Sequence, residues 1–351
     1  MFTTLLMLAF SALASSAPTC NITNATDYSN LTVALVRAAP PGFPAPILSR
    51  NYTGLHFDLN ATVTYGVQLI EEAASNGANL VVFPELWFPG YPKGADDKWI
   101  KTTAAEYIDN SLEIGSTNWN KLLTAAKTNS VYLALAFSEK TNSSIYMGQA
   151  IISKYGEILH HRQKLRPSGG ERNIWSDGDI NDIKAIDTPY GRWGILECWE
   201  HFHPSMTFPM QAQMESIHIA SAPYTPDAKD PAAEYWETLE VNAASIRTYA
   251  INSGAVTLWA GVGYSAVYSG QGLEMAEVLA AVPYDEQPML YSSINTRSFS
   301  KASYSINGEQ SWGVLNQIEK GWPYYIPKVV STFVARKTVL ISELVNFTES
   351  A

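Results

Sequence analysis

Short, continuous apolar runs alternate along this chain with longer segments in which apolar residues recur at helical spacing. The run "NLVVF" at 79–83 is rich in branched residues and too short for a helix, which is typical of a strand buried on both faces. Two runs that flank the turn-forming stretch "KYGE" predict a hairpin. Strands are therefore predicted at 31–38, 79–83, 131–138, 145–153, 157–163, 216–222 and 255–261, with a further hairpin over 182–198.

Helices are predicted in the longer segments between these strands. The first is expected to begin at an Asn60 N-cap and to end near Gly77, since these residue types are common at helix starts and stops. Further helices are predicted at 116–129, 204–215 and about 232–252. The buried face of the first helix is expected to comprise Val63, Val67, Ile70 and Ala74.

The order of these elements indicates an α/β protein, in which sheets are covered by helices. No Gly/Ser linker, low-complexity tract or internal repeat divides the chain, so one domain is expected although 351 residues would allow two. An apolar content of 46% is enough for a large core. The net charge of -10 and a pI near 5.1 argue against nucleic acid or an anionic membrane as a partner.

The first 17 residues have the pattern of a signal peptide. An uncharged apolar run ends in the small-residue pattern Ala12-Leu13-Ala14, which predicts cleavage near residues 14–17. The run is too short to span a bilayer, and no later segment is long and apolar enough to do so. The sequence therefore predicts a secreted, soluble protein whose first mature residues, 18–30, form a flexible tail.

Asn-x-Ser/Thr sequons support the same route, because they are the acceptor sites for N-glycosylation in a eukaryotic secretory pathway. Three of them crowd into the predicted tail, so they also fit a tail that is merely rich in Asn and Thr. The sequons lie at Asn21, Asn24, Asn30, Asn51, Asn60, Asn142 and Asn346.

The chain has only two cysteines, Cys20 and Cys198. A bridge between them would join a flexible tail to an internal strand, and a core of this size does not need it. We therefore expect Cys198 to be a free thiol with a chemical role. A Lys nearby and the start of the helix at 204–215 would lower its pKa.

Three predicted strands end in reactive side chains. Glu85 follows the run at 79–83, Lys164 follows 157–163, and Cys198 follows the apolar run of the hairpin. Ligands of α/β proteins gather beyond the carboxyl ends of strands, so a carboxylate, an ammonium and a thiol there would form a nucleophilic site. Taken singly, Glu85 also fits a loop cap, Lys164 a solvated lysine and Cys198 a small core residue.

The segments "LVVFPELWFPGYP", "HHRQKLRPSGGERNIWSDGD" and "GRWGILECWEHFHP" resemble the nitrilase branch of the carbon–nitrogen hydrolase superfamily. The resemblance runs from about residue 31 to 260 and weakens beyond. It implies a four-layer α-β-β-α sandwich, a hydrolase domain at 31–310 followed by a C-terminal extension at 311–351, and a homo-oligomer. Trp199 and Glu200 after the cysteine favour nitrilases proper over the amidase and pantetheinase branches.

The resemblance also implies a role for each reactive residue. Cys198 would be the nucleophile, Glu85 the proton acceptor, and Lys164 the group that stabilises the charge of the transition state. The second glutamate of the family aligns with Glu171, which would position substrate or assist the lysine, although a contact that only holds its loop explains it nearly as well. The substrate would be a small nitrile or amide, with no cofactor.

The sequence suggests a substrate pocket lined by aromatic and imidazole side chains. A zinc site formed by Glu200, His201 and His203 is the alternative for the histidines, but the His-x-x-x-His pair or cysteine set of a typical zinc site is missing. We therefore predict no metal site. The predicted pocket residues are Trp87, Tyr91, Trp199 and His201.

Other functions remain open at this point. The same three residues would serve an amidase, or a cyanide hydratase that stops at the amide. A secreted glycoprotein that keeps the fold without turnover is the alternative from another class. A cysteine protease is disfavoured, because the signature around its cysteine is missing.

Overall fold

The computed structural model describes residues 30–42, 52, 54–94, 96–295, 309–332 and 334–347. The predicted signal peptide, most of the tail with Cys20, and the sequons at Asn21, Asn24 and Asn51 lie outside these residues. Two six-stranded sheets form the centre of the molecule. In spatial order, the first sheet contains β12 (Met289–Ile294), β1 (Leu31–Val36), β2 (Leu80–Val82), β3 (Tyr132–Lys140), β4 (Ile145–Ile152) and β5 (Ile158–Gln163).

The second sheet has the same mixed character, with parallel strands at its centre and antiparallel strands at its edges. Strands β7, β8 and β9 are parallel, and hairpins add one edge strand before β7 and two beyond β9. In spatial order it contains β11 (Glu274–Val278), β10 (Ser265–Tyr268), β9 (Val256–Gly261), β8 (Ile217–Ala222), β7 (Gly191–Glu197) and β6 (Ile186–Thr188).

Helices cover the outer faces of both sheets. One apolar cluster lies between the sheets, another lies under α1 and α3, and smaller clusters lie under α4 and α5. This arrangement is the predicted α-β-β-α sandwich. The helices are α1 (Leu59–Ser75), α2 (Asp97–Asp109), α3 (Thr117–Asn129), α4 (Pro204–Gln211), α5 (Leu239–Ser253), α6 (Glu309–Lys320) and α7 (Ile341–Val345).

Helix α1 differs from its prediction in its cap and in its buried face. Asp58, not Asn60, is the N-cap, and its carboxylate accepts from the Ala61 N–H. Val67 and Ala74 are only partly buried. The buried stripe passes instead through Gly66, where an added Cβ would lie 3.0 Å from the Phe88 ring. A close approach to this bulky ring therefore sets the rotation of the helix.

Two further helix predictions were wrong. The sequence did not predict helix α2, because most of its residues are polar and its apolar face is short. That face packs on α7 and on the loop before β6. Helix α4 ends at Gln211, four residues before the predicted end, and Met214 adopts a left-handed backbone (φ 58°) that no helix continues. Glu215 thereby leaves the helix and becomes buried against β7.

The segment at 334–347 packs back onto the sandwich. Asp177 accepts from the Lys337 N–H at 2.8 Å, and the Ile341 N–H donates to Ser143 at 2.9 Å. Val339 and Leu344 are buried with α2. Among the described residues, no helix is long and apolar enough to cross a membrane.

Candidate active site

The ends of three strands bring Glu85, Lys164 and Cys198 together. Strand β5 runs in the direction of β2, because β3, β4 and β5 are successively antiparallel and β2 is parallel to β3. Lys164 comes directly after β5 and Cys198 directly after β7 of the other sheet. The Glu85 N–H donates to Ala222 at the end of β8, so the loop after β2 bridges the two sheets.

Lys164 lies between two carboxylates. Its Nζ donates to Glu85 Oε1 at 2.6 Å and to Glu171 Oε2 at 2.8 Å. The side chains of Lys164 and Glu85 have no solvent exposure, and that of Glu171 has 7%. Glu171 is held in turn by the Tyr91 hydroxyl at 2.6 Å and by the Ser168 N–H at 2.6 Å. Three groups therefore fix the carboxylate that holds the lysine from the side of the cavity.

The charges of this cluster determine which groups can exchange protons. Burial raises the pKa of Glu85 to about 7, although the Lys164 charge opposes it. Burial by itself lowers the pKa of Lys164, but the charges of Glu171 and Glu85 raise it well above its ordinary value. Glu85 is thus suited to general base catalysis near neutral pH, whereas Lys164 keeps its proton and supplies charge.

The prediction of a lowered thiol pKa for Cys198 was wrong. Burial and the Glu85 charge raise its pKa well above the ordinary value, and the Lys164 charge does not compensate. With Glu85 ionised, two carboxylates and one ammonium give the cluster a charge of -1, and a thiolate would add a second negative charge. The thiol therefore rests protonated, and its proton must leave as the sulfur attacks.

Cys198 occupies a tight turn with a left-handed backbone (φ 39°), which costs about 1–3 kcal/mol for a residue with a Cβ. The turn is a short 3-10 helix at Cys198–Phe202. Within it, Glu200 accepts from the Glu197 N–H at 2.8 Å and from the Leu165 N–H at 2.9 Å. The Glu200 carboxylate thus joins the turn of Cys198 to Leu165, the residue after Lys164.

Arg162 forms a buried ion pair with that carboxylate. Its guanidinium donates to both oxygens of Glu200, at 2.9 and 2.6 Å, and to Gln149 at 2.5 Å. Sequence reasoning missed this pair, although Arg162 and Lys164 are two residues apart and so share a face of β5. Burial would raise the pKa of Glu200, but the Arg162 charge keeps it below the ordinary value.

A cavity of about 880 Å³ opens above the thiol. Cys198 and Glu171 lie in its wall, and Tyr91 and Trp199 line it as the sequence suggested. Trp236 contacts Trp199 edge to face, with ring centroids 5.8 Å apart. Trp175, Tyr224 and Tyr235 also line the cavity, although the sequence did not identify them.

Two predicted pocket residues were assigned wrongly. Trp87 is 1% exposed and lies in the core against Phe83 and Phe88, where its indole N–H donates to Ala38 at 2.8 Å. It does not line the cavity. His201 lies behind the nucleophile, and its ring packs on His218. The alternation of exposed and buried positions along a loop cannot be read from sequence as it can along a strand.

Two of the three residues considered for zinc are engaged elsewhere. Glu200 holds Arg162 and two backbone N–H groups, and His201 contacts the carbonyl oxygen of Cys198 at 2.7 Å. Within the part of the chain that the structure describes, no group of three or more His, Cys, Asp or Glu side chains has the arrangement of a metal site.

Comparison with known sequences places this site in a family. The carbon–nitrogen hydrolase family model matches residues 32–299. An aliphatic nitrilase from Rhodococcus rhodochrous is 34% identical over 265 residues, which is 68% of each chain. An arylacetonitrilase from Aspergillus niger is 34% identical over 287 residues, covering 72% of this chain and 85% of the relative.

Solved structures show the same fold at low sequence identity. An amidase of the nitrilase superfamily from Nesterenkonia has a TM-score of 0.61 at 14% identity, covering 83% of this chain and 99% of the amidase. A carbon–nitrogen hydrolase from Helicobacter pylori has a TM-score of 0.61 at 17% identity, covering 85% of this chain and 100% of that one. With the sequence matches, these findings establish that the chain belongs to the nitrilase branch of the carbon–nitrogen hydrolase family.

Proposed function

We propose that this protein is a nitrilase, which converts a nitrile into a carboxylic acid and ammonia. The observation that supports this most directly is the buried Cys198 thiol beside a lysine held between Glu85 and Glu171, in the wall of an aromatic cavity. A thiol is a soft, strong nucleophile, which a weakly electrophilic nitrile carbon requires.

In the first half of the reaction, Cys198 sulfur bonds to the nitrile carbon while Glu85 takes the thiol proton. That proton passes to the nitrile nitrogen, which gives a neutral thioimidate. The Lys164 ammonium stabilises the negative charge that develops on the nitrogen during attack. Its fixed charge is useful because the two carboxylates hold it in place before the substrate arrives.

In the second half, Glu85 activates water. The first water adds to the thioimidate carbon, the carbon–nitrogen bond of this adduct breaks, and ammonia leaves while a thioester remains on Cys198. A second water then breaks the carbon–sulfur bond, which releases the acid and returns a proton to Cys198. A base with a pKa near 7 can accept and return protons in each of these steps.

The cavity favours nitriles that carry an aromatic ring. Tyr91, Trp199 and Trp236 offer ring faces and edges close to the thiol, and such contacts stabilise aromatic ligands. Relatives that carry the name arylacetonitrilase, from Aspergillus niger and Aspergillus kawachii, support the same substrate class. We therefore propose an arylaliphatic nitrile as the substrate.

Ammonia release from matched nitriles and amides tests this proposal. We expect turnover of phenylacetonitrile to phenylacetic acid, with slower turnover of a short aliphatic nitrile. Chromatography of the products separates acid from amide, which distinguishes a nitrilase from an enzyme that stops at the amide. Turnover of phenylacetamide but not of phenylacetonitrile would favour an amidase instead.

We also propose that the protein enters the secretory pathway and carries N-glycans. The sequon asparagines among the described residues, Asn30, Asn60, Asn142 and Asn346, are all exposed, which supports this. Asn142 lies in the turn between β3 and β4, whereas Asn60 lies in the first turn of α1. A turn is the more accessible backbone, so we expect the highest occupancy at Asn142.

Peptide mapping of protein secreted from a eukaryotic host, after glycosidase treatment in heavy-oxygen water, measures this occupancy. The Asn142→Gln variant is expected to lose one glycan in mass and to keep its activity. Secreted protein with unmodified asparagines at every sequon would contradict the proposal.

We further propose that the protein is a homo-oligomer. Apolar side chains on α6 support this, since Val314 and Ile318 lie one turn apart on the helix and are 56% and 36% exposed. Exposed apolar side chains that share one face of a helix are typical of an association surface. Light scattering on the purified protein is expected to give a mass of at least two chains.

A further inference from the structure

A chain of polar contacts runs from the carbonyl oxygen of Cys198 into the core behind it. His201 Nδ1 lies 2.7 Å from this oxygen, and His201 Nε2 lies 2.9 Å from His218 Nε2. His218 Nδ1 lies 2.9 Å from Glu215 Oε2, and the Tyr249 hydroxyl donates to the other oxygen of Glu215. Four side chains from four segments thus form one chain of contacts, which ends at the carbonyl oxygen of Cys198.

These four side chains are buried, and the surrounding backbone leaves space for them. His201, His218, Glu215 and Tyr249 are each 6% exposed or less. An added Cβ at Gly194, on the neighbouring strand β7, would lie 1.8 Å from Glu215 Oε2. The chain therefore keeps a glycine where the carboxyl group needs the space. The proposed reaction uses none of these four groups.

The contacts determine how many protons the group holds. A carbonyl oxygen only accepts, so the proton in the first contact must be on His201 Nδ1. Two ring nitrogens 2.9 Å apart need one proton between them, and the contact between His218 and Glu215 needs a third. Three protons shared by two imidazoles and one carboxyl group give no net charge.

We propose that Glu215, His218 and His201 form a neutral three-proton relay of positioning residues, which holds the carbonyl oxygen of Cys198 and thereby fixes the strained backbone of the nucleophile. The proposal rests on the proposed function only in taking Cys198 as the nucleophile. It assigns no proton transfer in the reaction to the relay.

The surroundings of each group in the relay favour its uncharged form. Burial lowers the pKa of His201 to about 3 and raises that of Glu215 to about 8, with a hydrogen bond from Tyr249 opposing the latter. Burial also lowers the pKa of His218, and the Arg162 charge lowers it further. The charged groups that face the relay are Arg162 from β5 and Glu200 from the turn at 198–202, and they form an ion pair with each other.

Removal of one proton above about pH 8 leaves two protons for three contacts. Of the three contacts, the one to the Glu215 carboxylate keeps a proton most strongly, because a charged acceptor forms the strongest hydrogen bond and His218 then donates from Nδ1. The proton is then missing from the contact between the two ring nitrogens or from the contact to the carbonyl oxygen of Cys198. Each arrangement removes support for the left-handed turn. We therefore expect kcat to fall as the pH rises through this range, with a smaller change in KM.

The Glu215→Gln variant tests whether Glu215 acts through its proton or only through packing. An amide donates to His218 Nδ1 and accepts from Tyr249, so it preserves all contacts but cannot lose the proton. We expect this variant to keep kcat at pH 7 within about threefold and to lose the alkaline limb of the pH profile. Glu215→Leu has a similar size without a donor, and its kcat at pH 7 is expected to fall by at least about tenfold.

The rate at which iodoacetamide alkylates Cys198 provides a readout that needs no nitrile turnover. We expect the ratio of the parent rate to the Glu215→Gln rate to be near one at pH 6.5 and to fall above pH 8. Glu277→Gln is the matched control, because it alters a tyrosine–carboxylate contact on β11 and should leave both profiles unchanged.

A wild-type alkaline limb in Glu215→Gln, with an alkylation ratio that is constant with pH, would overturn the relay. That result is distinct from failure of the proposed function, in which nitriles are not hydrolysed but the alkylation ratio still changes with pH. If Glu215→Leu does not fold, the Gln variant and the alkylation ratio still decide the outcome.

Discussion

Cys198→Ala is expected to fold as the parent does and to release no measurable ammonia from any nitrile that the parent hydrolyses. The thiol is the only free cysteine among the described residues, and a thioimidate and a thioester can form only on sulfur. The change removes one buried sulfur atom, so the cost to the fold is small. Ammonia release at the parent rate would contradict the mechanism.

The partners of the thiol are expected to be nearly as sensitive. Glu85→Gln removes the proton acceptor and Lys164→Met removes the fixed charge, and each should lower kcat by at least about 10³-fold. Because such groups act as a unit, combined variants should lose little more than the single ones. Glu139→Gln and Lys140→Met are matched controls at the end of β3, and they should retain the parent activity.

The meeting of Glu85, Lys164 and Cys198 was predictable because each one follows an apolar run. A strand that is buried along its length must stop where polar groups begin, and in α/β proteins those ends gather at one site. Lys164 and Cys198 follow directly on β5 and β7, and Glu85 follows β2 by three residues. The alternation of strands and helices predicted sheets covered by helices, whereas the sandwich of two sheets was implied by the family resemblance.

The electrostatics of the site were not predictable in the same way. Counting Lys164 alone suggests a lowered thiol pKa, but Glu85 and Glu171 outweigh one ammonium once the thiol is buried. Their positions relative to Cys198 follow from distant segments meeting in space. The direction of a pKa shift therefore needs the whole set of neighbouring charges, which the sequence order does not provide.

The supporting residues were missed for a related reason. In the sequence Arg162 has no evident role, Glu200 belongs to the family motif, and Glu215 was placed at the end of a helix. Two of their partners lie 34 to 38 residues away, Tyr249 for Glu215 and Glu200 for Arg162. His218 is only three residues from Glu215, but that contact depends on the loop before β8, which the helix prediction did not contain.

Breaking the buried pair between Arg162 and Glu200 is expected to cost about 3–5 kcal/mol of the free energy of unfolding. Both side chains have no solvent exposure, so Arg162→Met leaves an unpaired carboxylate in the core. Glu200→Gln leaves an unpaired guanidinium and weakens the acceptor for two backbone N–H groups. Urea unfolding followed by tryptophan fluorescence measures each loss as a shift of the midpoint.

The double variant Arg162→Met/Glu200→Gln shows how much of each single loss comes from leaving the other charge buried alone. Removing both charges leaves neither one buried alone, so the double variant should lose less stability than the sum of the two single losses. Arg336→Met breaks an ion pair with Asp179 whose side chains are 54% and 38% exposed, and it should cost less than about 1 kcal/mol. Equal losses for Arg162→Met and Arg336→Met would show that burial does not set the strength of the pair. Because Glu200 also ties the turn of Cys198 to Leu165, the double variant should remain folded yet hydrolyse nitriles more slowly than the parent.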